Sequence, residues 1–233
     1  MINTYSESSL HRDLKQQYAT IYGGKTEIQE GKYICDIVAA DNTIIEIQTA
    51  NLHSLSPKLL ELKENHKVLI VHPLIAEKRI ETYDTESNLL SSRKSPKKEN
   101  WINLFRHLTG VYRYLEEDWF TLEVIKISMI EKRIKTGAPV QLKNKSRRFR
   151  KNWYKTDKEL LDISERKTFH TRKDYLALLP AELPEEFSSV DLKNAGCRNE
   201  ANIILWVLKK AGFITHTGTN GRRYYYKIND QPD

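Results

Sequence analysis

Two short runs, residues 33–38 (Tyr-Ile-Cys-Asp-Ile-Val) and 44–49 (Ile-Ile-Glu-Ile-Gln-Thr), constrain this chain more than any other feature. Both are apolar, rich in β-branched residues and of strand length. Each nevertheless carries a carboxylate, Asp36 in the first and Glu46 in the second. A carboxylate in a segment built for burial costs free energy unless something compensates it, and two close together repel, so the pair points to a bound cation. Residues 39–43 (Ala-Ala-Asp-Asn-Thr) read as a hairpin turn, because Asp and Asn tolerate left-handed backbone. Loop length then fixes the chemistry. A three-residue loop, 40–42, sets Ala39 against Thr43 and Asp36 against Glu46 on one face, with Gln48 two residues further along that face. A two-residue loop, Asp41-Asn42, pairs Asp36 with Ile47 and sends the carboxylates to opposite faces.

The pattern of Asp36 followed after a turn by Glu46-Ile47-Gln48 resembles the core of the PD-(D/E)XK nuclease superfamily. The resemblance implies an α/β (α+β) fold, a restriction-endonuclease-like mixed sheet flanked by helices. It also implies divalent-metal-dependent hydrolysis of phosphodiester bonds in nucleic acid, DNA above all. By that likeness Asp36, Glu46 and the backbone carbonyl of Ile47 would hold Mg²⁺ or Mn²⁺, hard cations that prefer oxygen ligands. Gln48 would orient the attacking water or a phosphate oxygen, and Glu7, on the helix before the sheet, would be a further ligand or an outer group. Two positions depart from the pattern. Cys35 stands where the Pro would be, and Gln48 replaces the Lys, so no positive charge sits there and slower chemistry is expected. Lys58 is a candidate surrogate for that charge, with a solvated lysine as the competing reading. A homodimer is the arrangement by which such nucleases cut both strands, and the whole chain looks similar to bacterial proteins of that kind.

Composition sets outer limits. A chain of 233 residues with 39% hydrophobic and 30% charged residues suits one large or two modest globular domains. No apolar run is long enough to span a membrane, and no secretion signal is read at the N-terminus. Cys35 and Cys197 belong to no zinc-spaced cluster, so a reducing cytoplasm is expected. The formal net charge of +7 favours an acidic partner.

Along the chain, residues 5–18 read as a helix with Leu10, Leu14 and Tyr18 on one stripe, and Thr4-Tyr5-Ser6-Glu7 doubles as a capping box. Residues 25–29 suit an edge strand. Ser56-Pro57 opens a helix to about residue 65. The unbroken apolar run 68–71 should lie parallel to the Glu46 strand through a right-handed crossover, and 75–83 reads as a further, partly exposed strand. His53, His66 and His72 sit at element ends, where histidines are more often surface or hydrogen-bonded than ligating. Residues 84–100 read as a mobile basic loop, 101–108 as an amphipathic helix and 120–130 as a strand.

Residues 143–155 carry seven positive charges and three interleaved aromatics with no acid. Such a basic loop can neutralise phosphates while its rings stack on bases, making Lys145, Arg147, Arg148, Arg150, Lys151 and Trp153 candidate nucleic-acid contacts. A first domain is expected over 1–170 and a second over 171–233. In the second, a short helix, a turn, a longer helix over 197–211 and a basic hairpin resemble a winged helix-turn-helix module. That likeness puts Arg198, Asn199 and Asn202 toward a DNA groove and Arg222 and Arg223 on the wing. Three functions follow: a metal-dependent nuclease, a nuclease-fold DNA-binding protein without cleavage, and a chain in which Asp36 and Glu46 merely pair with basic neighbours. The last has the least support, because no basic residue is evidently placed for it.

Overall fold

Leu10, Leu14 and Tyr18 recur every four residues, and the helix they define, α1 (Ser9–Ile21), buries all three. The computed structural model describes residues 7–141 and 149–229. Ser8 caps α1 by accepting from the His11 amide, so the helix starts later than the Thr4-to-Glu7 signal suggests. Thr4, Tyr5 and Ser6 of that signal lie outside the described residues.

Three antiparallel strands follow, β1 (Lys25–Glu30), β2 (Tyr33–Val38) and β3 (Ile44–Ile47). After a 3₁₀ turn, α2 (Ser56–Leu62) leads to β4 (Val68–Tyr83), which pairs parallel with β3 as expected. His72-Pro73 does not break β4, so the separate strand expected over 75–83 is its continuation. The expected loop over 84–100 contains a strand, β5 (Leu89–Lys94), folded back on β4. A 3₁₀ turn (Trp101–Leu104) and a single helical turn, α3 (Phe105–Leu108), precede β6 (Phe120–Val140), which is parallel to β4. β7 (Lys151–Phe169) closes the sheet antiparallel to β6. The basic loop expected over 143–155 is therefore corrected: from Lys151 onward it is strand, held by the ladder to β6.

Period-two alternation feeds two cores. Val68 and Ile70 of β4 enter the one that packs under α2, while Leu69 and Val71 enter the one under α1. The two helices thus lie on opposite faces of the sheet. The α2-side core runs on into the C-terminal region, formed by α4 (Arg172–Leu176), β8 (Glu186–Phe187), α5 (Ser189–Asn194), α6 (Ala201–Lys210), β9 (Ile214–Asn220) and β10 (Arg223–Ile228). β8, β10 and β9 form a small antiparallel sheet in that order. Among the described residues no helix is long and apolar enough to cross a membrane.

Candidate functional site

The β2–β3 register comes from the turn. Ala39 N–H donates to Thr43 O at 2.9 Å, Asn42 N–H returns to Ala39 O at 3.0 Å, and Asn42 takes the left-handed conformation with φ 68°. A turn closed by one left-handed residue is the three-residue hairpin loop, and Asn is among the few side chains that accept that conformation. Ile37 then pairs with Ile45 and Val38 with Ile44, and one step further Asp36 stands opposite Glu46.

At that step the ladder opens and side chains bridge it. Asp36 N–H donates to Glu46 Oε1 at 3.1 Å, and Ile47 N–H donates to Asp36 Oδ2 at 2.8 Å. Each carboxylate therefore satisfies the partner strand's backbone. β2 also turns over here, because Cys35 enters the α2-side core and Ile37 the α1-side core, although they are two residues apart. On the other side of β2, Glu27 of β1 is left-handed, with φ 57°.

Cations then meet the two acids from opposite faces, which corrects the expectation that the three-residue loop sets both carboxylates on one face: β2 turns over at Asp36, so Asp36 meets the α1 side and Glu46 the α2 side. From α2, Lys58 Nζ reaches Glu46 Oε1 at 2.6 Å and also donates to Ile34 O. From α1, His11 Nε2 lies 3.3 Å from Asp36 Oδ2, and its Nδ1 is bonded to Glu7. Glu7 is in turn 2.8 Å from Lys15 Nζ, which also holds Glu27 at 2.7 Å. The result is a continuous chain, Lys15–Glu7–His11–Asp36–Glu46–Lys58, running through the sheet. The expectation that no basic residue stands near the two acids is overturned by Lys58 and His11.

The electrostatics follow from this placement. Glu46 is 4% exposed, and burial together with the charge of Asp36 raises its pKa in spite of Lys58. Burial also opposes ionisation of Asp36, but the His11 bond and the Ile47 amide outweigh it and lower its pKa. Burial lowers the pKa of His11, and bonds to Asp36 and Glu7 more than reverse that. One buried acid resists ionisation beside another that stays charged, the division of labour seen where carboxylates share a site.

The other expected residues divide. Gln48 does not join the acids: past the end of β3 its side-chain amide donates to Ser54 Oγ at 3.0 Å. Glu7 reaches the site through His11 rather than directly. Lys145, Arg147 and Arg148 lie outside the described residues, while Arg150 and Lys151 are exposed. Trp153 lies beneath Arg133 at 3.9 Å and Lys151 at 5.2 Å. Arg198, Asn199 and Asn202 are exposed before and on α6, and Arg222 and Arg223 at the β9–β10 turn. His11 was missed by sequence reasoning. Its signal was available, since it follows Glu7 by one helical turn on the face beside Leu10 and Leu14.

Residues 8–170, from the cap of α1 through the end of β7, match a family model described as a domain of unknown function, DUF8091. The chain belongs to the DUF8091 family. The match contains the whole Glu46–Asp36 arrangement with its flanking His11 and Lys58, and stops before the C-terminal region. A protein from Treponema pallidum (strain Nichols), named as uncharacterized, is 28% identical over 229 residues, covering 97% of this chain and 87% of its own. No solved structure matches.

Proposed function

We propose that this chain is a divalent-metal-dependent nuclease acting on DNA. The observation that carries the reading is the position of Lys58. An Asp–Glu–Lys grouping that Gln48 interrupts in sequence is matched in space by Lys58, whose ammonium is 2.6 Å from Glu46, with Glu46 in turn accepting from the Asp36 amide at 3.1 Å. Lys58 therefore replaces Gln48 in the expected set, and His11 joins Glu7 as the group that orients Asp36.

Asp36 and Glu46 offer oxygen donors of the kind a hard cation takes. Asp36 Oδ1 and Glu46 Oε2 make no hydrogen bond among the described residues, while the other oxygen of each is fixed by an amide. No three His, Cys, Asp or Glu side chains gather as a metal site among the described residues. Two carboxylates completed by water and substrate oxygens is the way Mg²⁺ is commonly held. Asp36 and Glu46 would hold it, and when bound it would polarise the phosphate and acidify a water. The chain's own contribution is positioning: His11 and the Ile47 amide fix Asp36, and Lys58 keeps a positive charge beside Glu46, aimed at a developing phosphate charge.

The C-terminal region supports a DNA partner. Helix, short strand, two helices and a hairpin, with β8 added to the hairpin through β10, follow the order of a winged helix-turn-helix module. Its exposed Arg198, Asn199, Asn202, Arg222 and Arg223 suit groove and phosphate contacts. One observation favours a second reading, a DNA-binding protein of the same build without cleavage: Gln48 is turned away to Ser54, and both acids are already paired with cations.

A single experiment decides between them. Purified protein is incubated with single-stranded, duplex and branched DNA and with RNA, in Mg²⁺ or Mn²⁺, beside Asp36→Asn and Lys58→Met variants whose folding is checked by circular dichroism. Cleavage reduced at least about 100-fold in each variant is expected, the size seen on removing a group that stabilises transition-state charge. Binding without cleavage by the wild type would leave the second reading standing.

A further inference from the structure

Beyond the end of β3 the chain walls a separate cavity of about 290 Å³, near the lower end of the range for ligand pockets. One wall is apolar, made by Leu10, Pro73, Ile75, Ile127 and Met129. The lining also holds two imidazoles, His72 and His107, with ring centroids 4.3 Å apart. Lys97, Arg106 and Lys158 bring positive charge to the same cavity.

Two polar groups in this lining stand out, one without a hydrogen-bond partner and one without an ion pair among the described residues. His72 is 1% exposed, and its Nδ1 lies 2.7 Å from Gln48 O. A carbonyl only accepts, so Nδ1 carries the proton and Nε2 is a bare acceptor. Nε2 is buried and has no hydrogen-bond partner. Buried polar atoms without partners are rare, and this one belongs to a residue of the cavity's lining. Burial and the neighbouring His107 lower the pKa of His72 to about 3, so the ring stays neutral and keeps that lone pair. The second group is Lys158. Lys97 is paired with Glu99 at 3.1 Å and Arg106 with Glu200 at 2.6 Å, whereas no carboxylate pairs with Lys158 among the described residues. Burial and the nearby Lys155 lower its pKa against the opposing charge of Glu131 across the strand pair.

We propose that this cavity binds a nucleoside monophosphate, its base against the apolar wall with an N–H donating to His72 Nε2, and its phosphate on Lys158 with Lys97 and Arg106 alongside. The apolar wall, His72 and the three cations each meet one part of that ligand: a flat ring, a donor on its edge and a dianion at its far end, with the Glu99 carboxylate in the same lining held by Lys97. An apolar ligand would leave both orphan groups unpaired, and inorganic phosphate would leave the wall and His72 unused. The inference is independent of phosphodiester cleavage, since it concerns binding alone, and the ligand is either a free nucleotide or the phosphorylated end of a strand.

Isothermal titration calorimetry of the full chain with the four ribonucleoside 5′-monophosphates, adenosine, inorganic phosphate and a 5′-phosphorylated dinucleotide tests it. At least one monophosphate should bind tenfold or more tightly than either adenosine or phosphate. Lys158→Met, a change at a partly exposed position, should weaken that ligand at least tenfold with an unchanged melting temperature. A ¹⁵N shift of His72 Nε2 on addition of the ligand to wild-type protein should report the new hydrogen bond, without any variant that risks unfolding. Tighter binding of the dinucleotide assigns the ligand to a strand end, and tighter binding of the mononucleotide assigns it to the free pool. No heat with any monophosphate at millimolar concentration, equal affinity in Lys158→Met, or a stationary His72 resonance would overturn the proposal.

Discussion

His72 shows how much a single buried ring decides. Neutral in the fold with a pKa near 3, it has an ordinary value near 6.5 in the unfolded chain, so below neutrality the unfolded state takes up the proton first. The contribution is present above about pH 6.5 and is lost as pH falls toward 3. One such proton costs up to about 1.4 kcal/mol of stability per pH unit inside that window. Urea unfolding at pH 7 and pH 5 should therefore show a smaller loss for His72→Gln than for the wild type; equal losses would mean the ring titrates normally. The sequence placed this histidine at an element end and gave no sign of its burial, because burial depends on α3 bringing His107 over it from 35 positions away. The adjacency of Asp36 and Glu46, though not the face each one meets, was legible for the opposite reason. Their relation is local and is set by one left-handed residue, Asn42, in a turn whose chemistry is written in three letters. Lys58 and His11 fall between these cases, each on a helix whose phase could be read but whose docking face on the sheet could not.

At the level of elements, α2 is held in place by a close approach that sequence patterns do not record. Gly110 lies so near the 3₁₀ turn before α2 that a Cβ would come within 2.4 Å of His53 Cα, and Ser56 Oγ donates to Gly110 O at 3.0 Å. Backbone cannot give way as a flexible side chain does, so Gly110→Ala should cost about 1–3 kcal/mol in denaturant unfolding. Because α2 carries Lys58, the same substitution should weaken any metal-dependent activity further than its stability loss accounts for. A variant as stable as the wild type would show that the two segments separate freely. The strands that escaped sequence reading share a physical cause. β5 is exposed along its whole length and β7 buries only Phe169 fully, so neither shows apolar alternation; pairing with β4 and β6 makes them strands. β3, β4 and the first half of β6 lie between two cores, and their apolar runs were correspondingly plain.

For the whole molecule, the C-terminal region is not an appendage on a linker. Glu200, at the start of α6, accepts from both Asn103 and Arg106 beside α3, Trp206 packs edge-on against Tyr112 at 5.3 Å, and one core continues across the junction. A duplex engaged by the β9–β10 turn would thus meet a surface fixed in orientation to the sheet, and phosphate contacts there would be felt by the molecule as one body. Arg222 and Arg223 are exposed at that turn, away from the buried face of α6. Each phosphate neutralised on B-form DNA adds about 0.9 to the magnitude of the slope of log affinity against log salt. Replacing both arginines with Gln should therefore flatten that slope by up to about 2 while leaving the melting temperature within a degree or two. Because the change touches neither Asp36 nor Glu46, it should weaken engagement of DNA without altering the rate at saturating substrate. A slope unchanged in the double variant would move the nucleic-acid surface off the C-terminal hairpin and onto the basic end of the β6–β7 pair, where Arg150 and Lys151 are exposed.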